Sequence, residues 1–147
     1  MNKNGHVIII VDNEEDEQLF TSVFKVLNYP NKITFFNNGE DALAFLDNPL
    51  NVAFIILSDI KMPKLAGVEL SDKLITDAAL NIKCIPYLFF STAGNQRAVI
   101  GAYSQNVQGF FFKQDNEADL TSIISSIMNY WKHCYYPPNI APLLQKA

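Results

Sequence analysis

The segment Val7–Val11 reads Val-Ile-Ile-Ile-Val and is followed at once by the polar pair Asp12 and Asn13. Apolar residues occupy successive positions, without the alternation of apolar and polar residues that a half-exposed strand shows. Such a run is typical of a strand that is buried on both faces of a parallel sheet. The segment therefore predicts a parallel sheet, and the polar pair marks the carboxyl end of its first strand.

Four more short apolar runs predict further strands. Their length and their polar or turn-forming neighbours are typical of strands rather than helices. These runs are Ile33–Phe36, Ala53–Leu57, Tyr87–Phe90 and Gly109–Phe112.

The segments between the strands carry apolar residues at helical spacing, and acidic residues in a first turn oppose the helix dipole. The first two predicted helices begin near Glu14–Glu17 and at Asn38 and Gly39. The third covers Val68 to about Ala78, and the fourth covers about Gln96 to Tyr103. The fifth carries an apolar stripe from Leu120 to Trp131. Strict alternation of strands and helices predicts an α/β fold. Five units are too few for an eight-stranded barrel, so we expect an open, doubly wound parallel sheet. The flavodoxin-like strand order 2-1-3-4-5, with helices on both faces, is the favoured arrangement.

The composition of the 147-residue chain excludes several classes of protein. Because 49% of the residues are hydrophobic, a compact core can form, and we expect one domain over residues 5–132 with a tail at 133–147. The net charge of −4 argues against a nucleic-acid partner, which needs basic patches. No apolar run approaches the roughly 20 residues that cross a membrane. The N-terminal run is too short for a secretory signal, so we expect a cytoplasmic protein.

Polar side chains follow four of the five predicted strands. They are Asp12 with Asn13, Ser58 with Asp59, Ser91 with Thr92, and Lys113. Parallel strands place their carboxyl ends on one edge of the sheet, so these groups should converge. Carboxylate oxygens suit Mg²⁺, which is usually shared with phosphate, while an ammonium and a hydroxyl can hold phosphoryl oxygens. The set therefore predicts transfer of a phosphoryl group to a carboxylate.

Each of these residues has a simpler interpretation when it is considered alone. Asp12 or Ser91 can cap the helix that follows its strand, and Lys113 can be a solvated surface charge. The functional interpretation depends on all of these residues occurring together at the ends of successive strands.

Four motifs, in order along the chain, resemble those of the receiver domains of two-component response regulators. In the segment Asp59–Gly67 an aspartate is followed by Met-Pro and a glycine, which is similar to the phosphoacceptor signature of that family. The other motifs are Val11-Asp12, the hydroxyl-bearing segment Phe90–Ala93, and the aromatic-x-x-Lys pattern of Phe110–Lys113. The resemblance extends from about Val7 to Trp131 and implies a receiver domain of the stand-alone, single-domain type.

The resemblance implies a role for each matched residue. Asp59 would accept the phosphoryl group, Ser91 would hydrogen-bond to it, and Lys113 would pair with it. The residues implied as Mg²⁺ ligands are Asp12, Asn13, Asp59 and the backbone carbonyl of Lys61. Phe110 stands at the position of the family's switch aromatic, which changes rotamer when the hydroxyl moves inward.

The resemblance also implies the partners of the domain. A sensor histidine kinase or a phosphotransfer protein would donate the phosphoryl group. A downstream protein would bind the surface of the fourth predicted helix, the fifth strand and the fifth helix, and a homodimer is a further option. The residues after Trp131 are too few for a DNA-binding module, so output is expected to pass through a partner protein. The domain would catalyse only its own phosphorylation and dephosphorylation, and no other enzyme activity is expected.

Two positions depart from the family pattern. Asn13 stands where a second acid is usual, and we expect weaker Mg²⁺ binding because an amide oxygen carries no charge. Gln114 stands where a proline is usual, which predicts a trans peptide bond after Lys113.

Three other functions stay open on such a fold. A degenerate receiver would act as a protein-interaction module without taking phosphate. A phosphatase or dehalogenase with an aspartate nucleophile has an Asp-x-Asp site, in which the second aspartate is the general acid. The residue two positions after Asp59 is Lys61, which supplies no acid. A flavin- or nucleotide-binding module needs a glycine-rich phosphate loop, and the segments 37–39 and 92–95 are poor in glycine.

Overall fold

The computed structural model describes residues 2–59, 77, 84–91, 99–101, 103, 107–114 and 116–135. Most of the third predicted helix lies outside these residues, and Asp77, the one described residue within it, is not helical. In the fourth predicted helix, Val99, Ile100, Gly101 and Tyr103 are helical. The backbone carbonyl of Lys61 and residues 136–147 of the predicted tail also lie outside the described residues.

A sheet of parallel strands forms the centre of the molecule. The strands are β1 (His6–Ile10), β2 (Ile33–Phe36), β3 (Ala53–Asp59), β4 (Tyr87–Ser91) and β5 (Gly109–Phe112). Their order across the sheet is β2-β1-β3-β4-β5 and every pairing is parallel. This confirms the predicted flavodoxin-like order 2-1-3-4-5.

Burial explains why the central strands show no alternation of apolar and polar residues. All of β4 is buried, as are four residues of β1 and the first six of β3, whereas the edge strands β2 and β5 are only partly buried. Strand β3 extends past its apolar run through Ser58 and Asp59, and Ser58 is fully buried. Asp59 is therefore the last residue of a strand and has a backbone held by the sheet.

Each helix with described bounds begins directly after an asparagine. These helices are α1 (Glu14–Leu27), α2 (Gly39–Asp47) and α3 (Glu117–Lys132), which is the fifth predicted helix. The side-chain oxygens of Asn13, Asn38 and Asn116 accept hydrogen bonds from backbone N–H groups of the first turn. Such caps satisfy N–H groups that have no partner within the helix.

The helices cover both faces of the sheet, as predicted for a doubly wound fold. On one face, Phe20 of α1 and Ile124 of α3 pack with Ile9 in one buried cluster. On the other face, Leu46 of α2 packs with Ile8 in a second cluster. Alternate residues of β1 thus enter opposite cores.

Two further expectations concern the backbone and the membrane. The described part of the chain contains no cis peptide bond, in agreement with the trans bond predicted between Lys113 and Gln114. Among the described residues, no helix has the length and apolar character needed to cross a lipid bilayer.

Candidate functional site

The strand register brings Asp59, Ser91 and Lys113 to one edge of the sheet. Asp59 is paired with Phe90, so the next residue of β4, Ser91, lies just beyond it on the neighbouring strand. The backbone N–H of Lys113 donates a 2.9 Å hydrogen bond to the carbonyl oxygen of Ser91. Neighbouring strands lie about 4.8 Å apart, so the carboxyl, hydroxyl and ammonium groups begin from three adjacent strand ends.

Asp12 reaches the same edge from the other side of β3. Ile10, the last residue of β1, is paired with Ser58, which places Asp12 one residue beyond the level of Asp59. The Asp12 side chain is exposed, and its Oδ1 lies 3.4 Å from Nδ2 of Asn13. Two carboxylates therefore lie at the ends of neighbouring strands, and that of Asp12 is open to solvent.

Asn13 caps helix α1 with both polar atoms of its side chain. Its Oδ1 accepts a 2.8 Å hydrogen bond from the backbone N–H of Asp16, and its Nδ2 donates a 3.0 Å bond to Oδ2 of the same residue. Asn38 makes the matching pair of bonds with Asp41 at the start of α2, at 2.9 Å each. The oxygen that the sequence analysis assigns to Mg²⁺ is thus directed at the helix in this structure.

Asp16 is not among the site residues that the sequence predicts, but it contacts one of them, Lys113. Its Oδ1 forms an ion pair with the ammonium of Lys113, and the two side chains are only 8% and 7% exposed. The one local signal was its place three residues after Asn13, the N3 position of a cap. The acidic first turn predicted only a favourable helix dipole.

The ion pair crosses the site. Lys113 follows β5, at one edge of the sheet, while Asp16 lies in the first turn of the helix that follows β1. Strands β3 and β4 lie between β1 and β5. The side chains of Lys113 and Asp16 therefore meet across the ends of the two strands that carry Asp59 and Ser91.

A buried polar pair, Ser58 and Tyr87, links β3 to β4. The hydroxyl of Ser58 donates a 3.1 Å hydrogen bond to the carbonyl oxygen of Asp59 and also bonds with the side chain of Tyr87. Burial raises the pKa of the Tyr87 phenol well above its ordinary value, and the bond with Ser58 opposes this only in part. Tyr87 is therefore a neutral hydrogen-bonding group, and the pair supports the backbone of Asp59 from within the core.

Phe110, the predicted switch aromatic, lies on β5 beside the site. It is partly buried against the cluster that contains Phe89, and its ring contacts that of Phe112 edge-on with centroids 6.1 Å apart. It also lines a groove of about 330 Å³ between β5 and α3, together with Tyr103 and Ile127. In the strand register Phe110 is paired with Phe89, two residues before Ser91 on β4.

The donor set fits a hydrated Mg²⁺ ion. Asp12 and Asp59 supply two carboxylates at one sheet edge, and Mg²⁺ usually takes one or two carboxylates with waters and phosphate oxygens. Within the described ranges, no group of three or more His, Cys, Asp or Glu side chains is arranged to hold a metal without such help. The side-chain oxygen of Asn13, also a predicted ligand, accepts a hydrogen bond from the backbone N–H of Asp16.

Comparison with known proteins places the chain in a family. Over residues 7–125 it matches the sequence model of the response regulator receiver domain. It is 25% identical over 130 residues to the response regulator Rcp1 of Synechocystis sp. (strain ATCC 27184 / PCC 6803 / Kazusa). This alignment covers 85% of this chain and 87% of Rcp1.

Two solved structures share the fold. One is the phosphorylated cyanobacterial phytochrome response regulator RcpA, with a TM-score of 0.78 and 23% identity, and the other is the Mn²⁺-bound form of Rcp1, with a TM-score of 0.74 and 24% identity. Both alignments cover 92% of this chain and 99% of the other chain. The match to the family covers most of the chain and agrees with the strand order, so this protein belongs to the response regulator receiver domain family.

Proposed function

We propose that the protein is a signalling switch controlled by phosphorylation of Asp59. The observation that carries the proposal is the strand register, which brings Asp59, Ser91 and Lys113 to one edge of the sheet. These are the residue types that the sequence analysis assigns to a phosphoacceptor and its two phosphoryl-binding partners. The proposal assigns the receiver domain to residues 5–132 and the tail to residues 133–147, and a cytoplasmic location stays a prediction from the sequence.

In the proposed reaction, a carboxylate oxygen of Asp59 attacks the phosphorus of a phosphohistidine. A P–O bond forms to Asp59, the P–N bond to the imidazole breaks, and the departing imidazole takes up a proton. The donor is a sensor histidine kinase or a phosphotransfer protein. Ser91 donates its hydroxyl to a phosphoryl oxygen, and Lys113 supplies the positive charge that stabilises the new anion.

Asp12 and Asp59 are the proposed ligands of a Mg²⁺ ion, with the backbone carbonyl of Lys61 as a third. When bound, the ion neutralises charge on the carboxylates and on the phosphoryl oxygens. Two carboxylates about 4 Å apart repel by roughly 4 kcal/mol at an effective dielectric constant of 20. Lys113 reduces part of the same repulsion from the β5 side.

Output passes from the phosphoryl group to the surface around β5. The added group carries about −1.5 to −2 charges, and conversion from 1:99 to 99:1 needs about 5.5 kcal/mol of differential stabilisation. New contacts of Ser91 and Lys113 are the proposed source of that energy. The groove beside Phe110, together with the partly exposed Tyr103 and Phe112, is the proposed binding surface for a downstream protein or a second copy of this chain.

The test is incubation with Mg²⁺ and acetyl phosphate, followed by mass spectrometry of the intact protein. The wild type should gain the mass of one phosphoryl group, and the Asp59→Asn variant should gain none. No gain by the wild type, or a gain that persists in the variant, would contradict the proposal. Omission of Mg²⁺ should slow the reaction strongly, which separates the proposed role of the ion from that of Asp59.

A degenerate receiver is the second candidate, and one observation favours it. Asn13 replaces an acid, and its oxygen caps α1 instead of facing the carboxylates. Such a domain would bind its partner whether or not a phosphodonor is present. Equal partner capture by the wild type and by Asp59→Asn, with no phosphoryl gain, would support this candidate.

A further inference from the structure

The ion pair between Asp16 and Lys113 is the feature of the site that phosphoryl transfer does not by itself require. Both side chains are more than nine-tenths buried, and the two residues are 97 positions apart in the chain. Burial matters because an ion pair that is shielded from water is screened little by salt and resists exchange of partners.

Asp16 is held in place by its own helix. Its backbone N–H donates to Oδ1 of Asn13, while its Oδ2 accepts from Nδ2 of Asn13. One carboxylate oxygen is therefore engaged by the cap, and the other is directed at Lys113. Because the cap already fixes the Asp16 side chain, little conformational entropy is lost when it binds the Lys113 ammonium. The Asp16 carboxylate can therefore compete effectively with other anions for that ammonium.

We propose that Asp16 is a positioning residue that holds the ammonium of Lys113 in the unphosphorylated protein and competes for it with the phosphoryl group. The inference rests on the proposed function. Lys113 has interactions in addition to Asp16, and the claim concerns only the free energy that the Asp16 contact adds to the resting state. The contact stabilises the resting state, so binding of Lys113 to the phosphoryl group has to offset the free energy of the lost contact with Asp16.

The same chain offers a matched control for the cap. Asp41 has the same two bonds with Asn38 at the start of α2, but it is exposed and forms no ion pair among the described residues. Asp41→Asn therefore alters an equivalent cap and removes an equal charge without affecting Lys113. Glu15→Gln is a second control, because it removes a negative charge from an exposed residue next to Asp16.

The experiment measures the affinity for beryllium fluoride, which forms a phosphoryl analogue on a carboxylate, at saturating Mg²⁺ by calorimetry. Asp16→Asn should bind it about three- to tenfold more tightly than the wild type, because the competing partner of Lys113 is gone. Asp41→Asn and Glu15→Gln should stay within about twofold of the wild type. A lysine-selective NMR spectrum should show a shifted Lys113 side-chain signal in Asp16→Asn before any ligand is added, and the Lys113→Met variant assigns that signal.

Three results would overturn the inference. Unchanged or weaker binding by Asp16→Asn would mean that the contact does not compete with the phosphoryl group. An equal gain in Glu15→Gln would mean that the effect is only the loss of one nearby charge. If the changes in unfolding midpoint caused by Asp16→Asn and by Lys113→Met simply add in the double variant, the contact does not stabilise the folded protein. If the wild type itself does not bind the analogue, the proposed function fails first.

Discussion

The ammonium of Lys132 donates a 2.6 Å hydrogen bond to the side-chain oxygen of Asn31, which joins the end of helix α3 to the loop before β2. Lys132 also donates to the carbonyl oxygen of Lys3 at 3.1 Å and lies 5.2 Å from the ring centroid of Phe54. Asn31 is 5% exposed and donates in turn to the carbonyl of Gly5 at 2.7 Å. This junction closes the amino-terminal edge of the sheet, opposite the candidate site.

Loss of the Lys132 ammonium should therefore destabilise the fold while leaving phosphorylation intact. Lys132→Met leaves the buried oxygen of Asn31 without this donor, and we expect a loss of about 1–3 kcal/mol in the free energy of unfolding. Urea denaturation followed by circular dichroism measures the loss. The control is Lys25→Met, which removes the same charge from an exposed position in α1 and should change stability by less than about 0.5 kcal/mol. Equal effects of the two variants would contradict the account.

Gly5 is required by the close approach of the first loop to β3. A Cβ atom at this position would lie 2.8 Å from the carbonyl carbon of Ala53 and 2.9 Å from the carbonyl oxygen of Val52. Both are backbone atoms, so Gly5→Ala should cost about 1–3 kcal/mol in the free energy of unfolding. In contrast, Gly101 is helical with open space around it, and Gly101→Ala should stabilise by about 0.5–1 kcal/mol. Denaturation of both variants tests the pair, and a neutral Gly5→Ala would show that the loop can move away.

The charge at position 13 should set the strength of Mg²⁺ binding. Asn13→Asp adds a negative charge beside Asp12, so we expect Mg²⁺ affinity to rise by about tenfold. Calorimetric titration with Mg²⁺ alone measures it. Asn38→Asp is the control, because the same substitution is made in an equivalent cap at the start of α2 and should leave the affinity unchanged. An unchanged affinity in Asn13→Asp would mean that position 13 lies outside the electrostatic range of the ion.

His6 should contribute a pH dependence to stability. Its Nδ1 lies 2.7 Å from the hydroxyl of Thr34, and burial, with a smaller effect of the Lys32 charge, lowers the pKa of His6 below its ordinary value of 6.5. The unfolded chain therefore binds a proton at a higher pH than the folded chain does. The stabilisation is fully present above pH 6.5 and is lost as the pH falls through the folded pKa.

Thermal unfolding between pH 5 and pH 8 checks the effect of His6. The wild type should lose stability below pH 6.5 more steeply than His6→Gln does. His133→Gln removes the other histidine and should keep the dependence of the wild type. If His6→Gln and the wild type have parallel pH profiles, the environment of His6 does not carry the effect.

The sequence was sufficient to predict the sheet, because each strand coincides with a short local run of apolar residues. Ile33–Phe36 and Gly109–Phe112 are strands with the predicted bounds, and the stripe from Leu120 to Trp131 lies within α3. The predicted strand Ala53–Leu57 ends too early, because Ser58 is polar in sequence but has a hydrogen-bonded place in the core.

The contacts of the site were less accessible to sequence analysis than its residues. The order of the strands predicted that Asp59, Ser91 and Lys113 would share an edge, and the register agrees. Asp16 could not be found in this way, because its partner Lys113 is distant in sequence and an acid in the first turn of a helix has a sufficient local explanation.

The central claim is that Asp59 carries the phosphoryl group as an acyl phosphate, and trapping with borohydride tests it most directly. Reduction of an aspartyl phosphate converts that residue to homoserine, which peptide mass spectrometry locates in the chain. After treatment with acetyl phosphate and Mg²⁺, the account predicts homoserine at position 59 and at no other aspartate. Homoserine at Asp12 or Asp16, or an unmodified Asp59 in a folded protein, would contradict it.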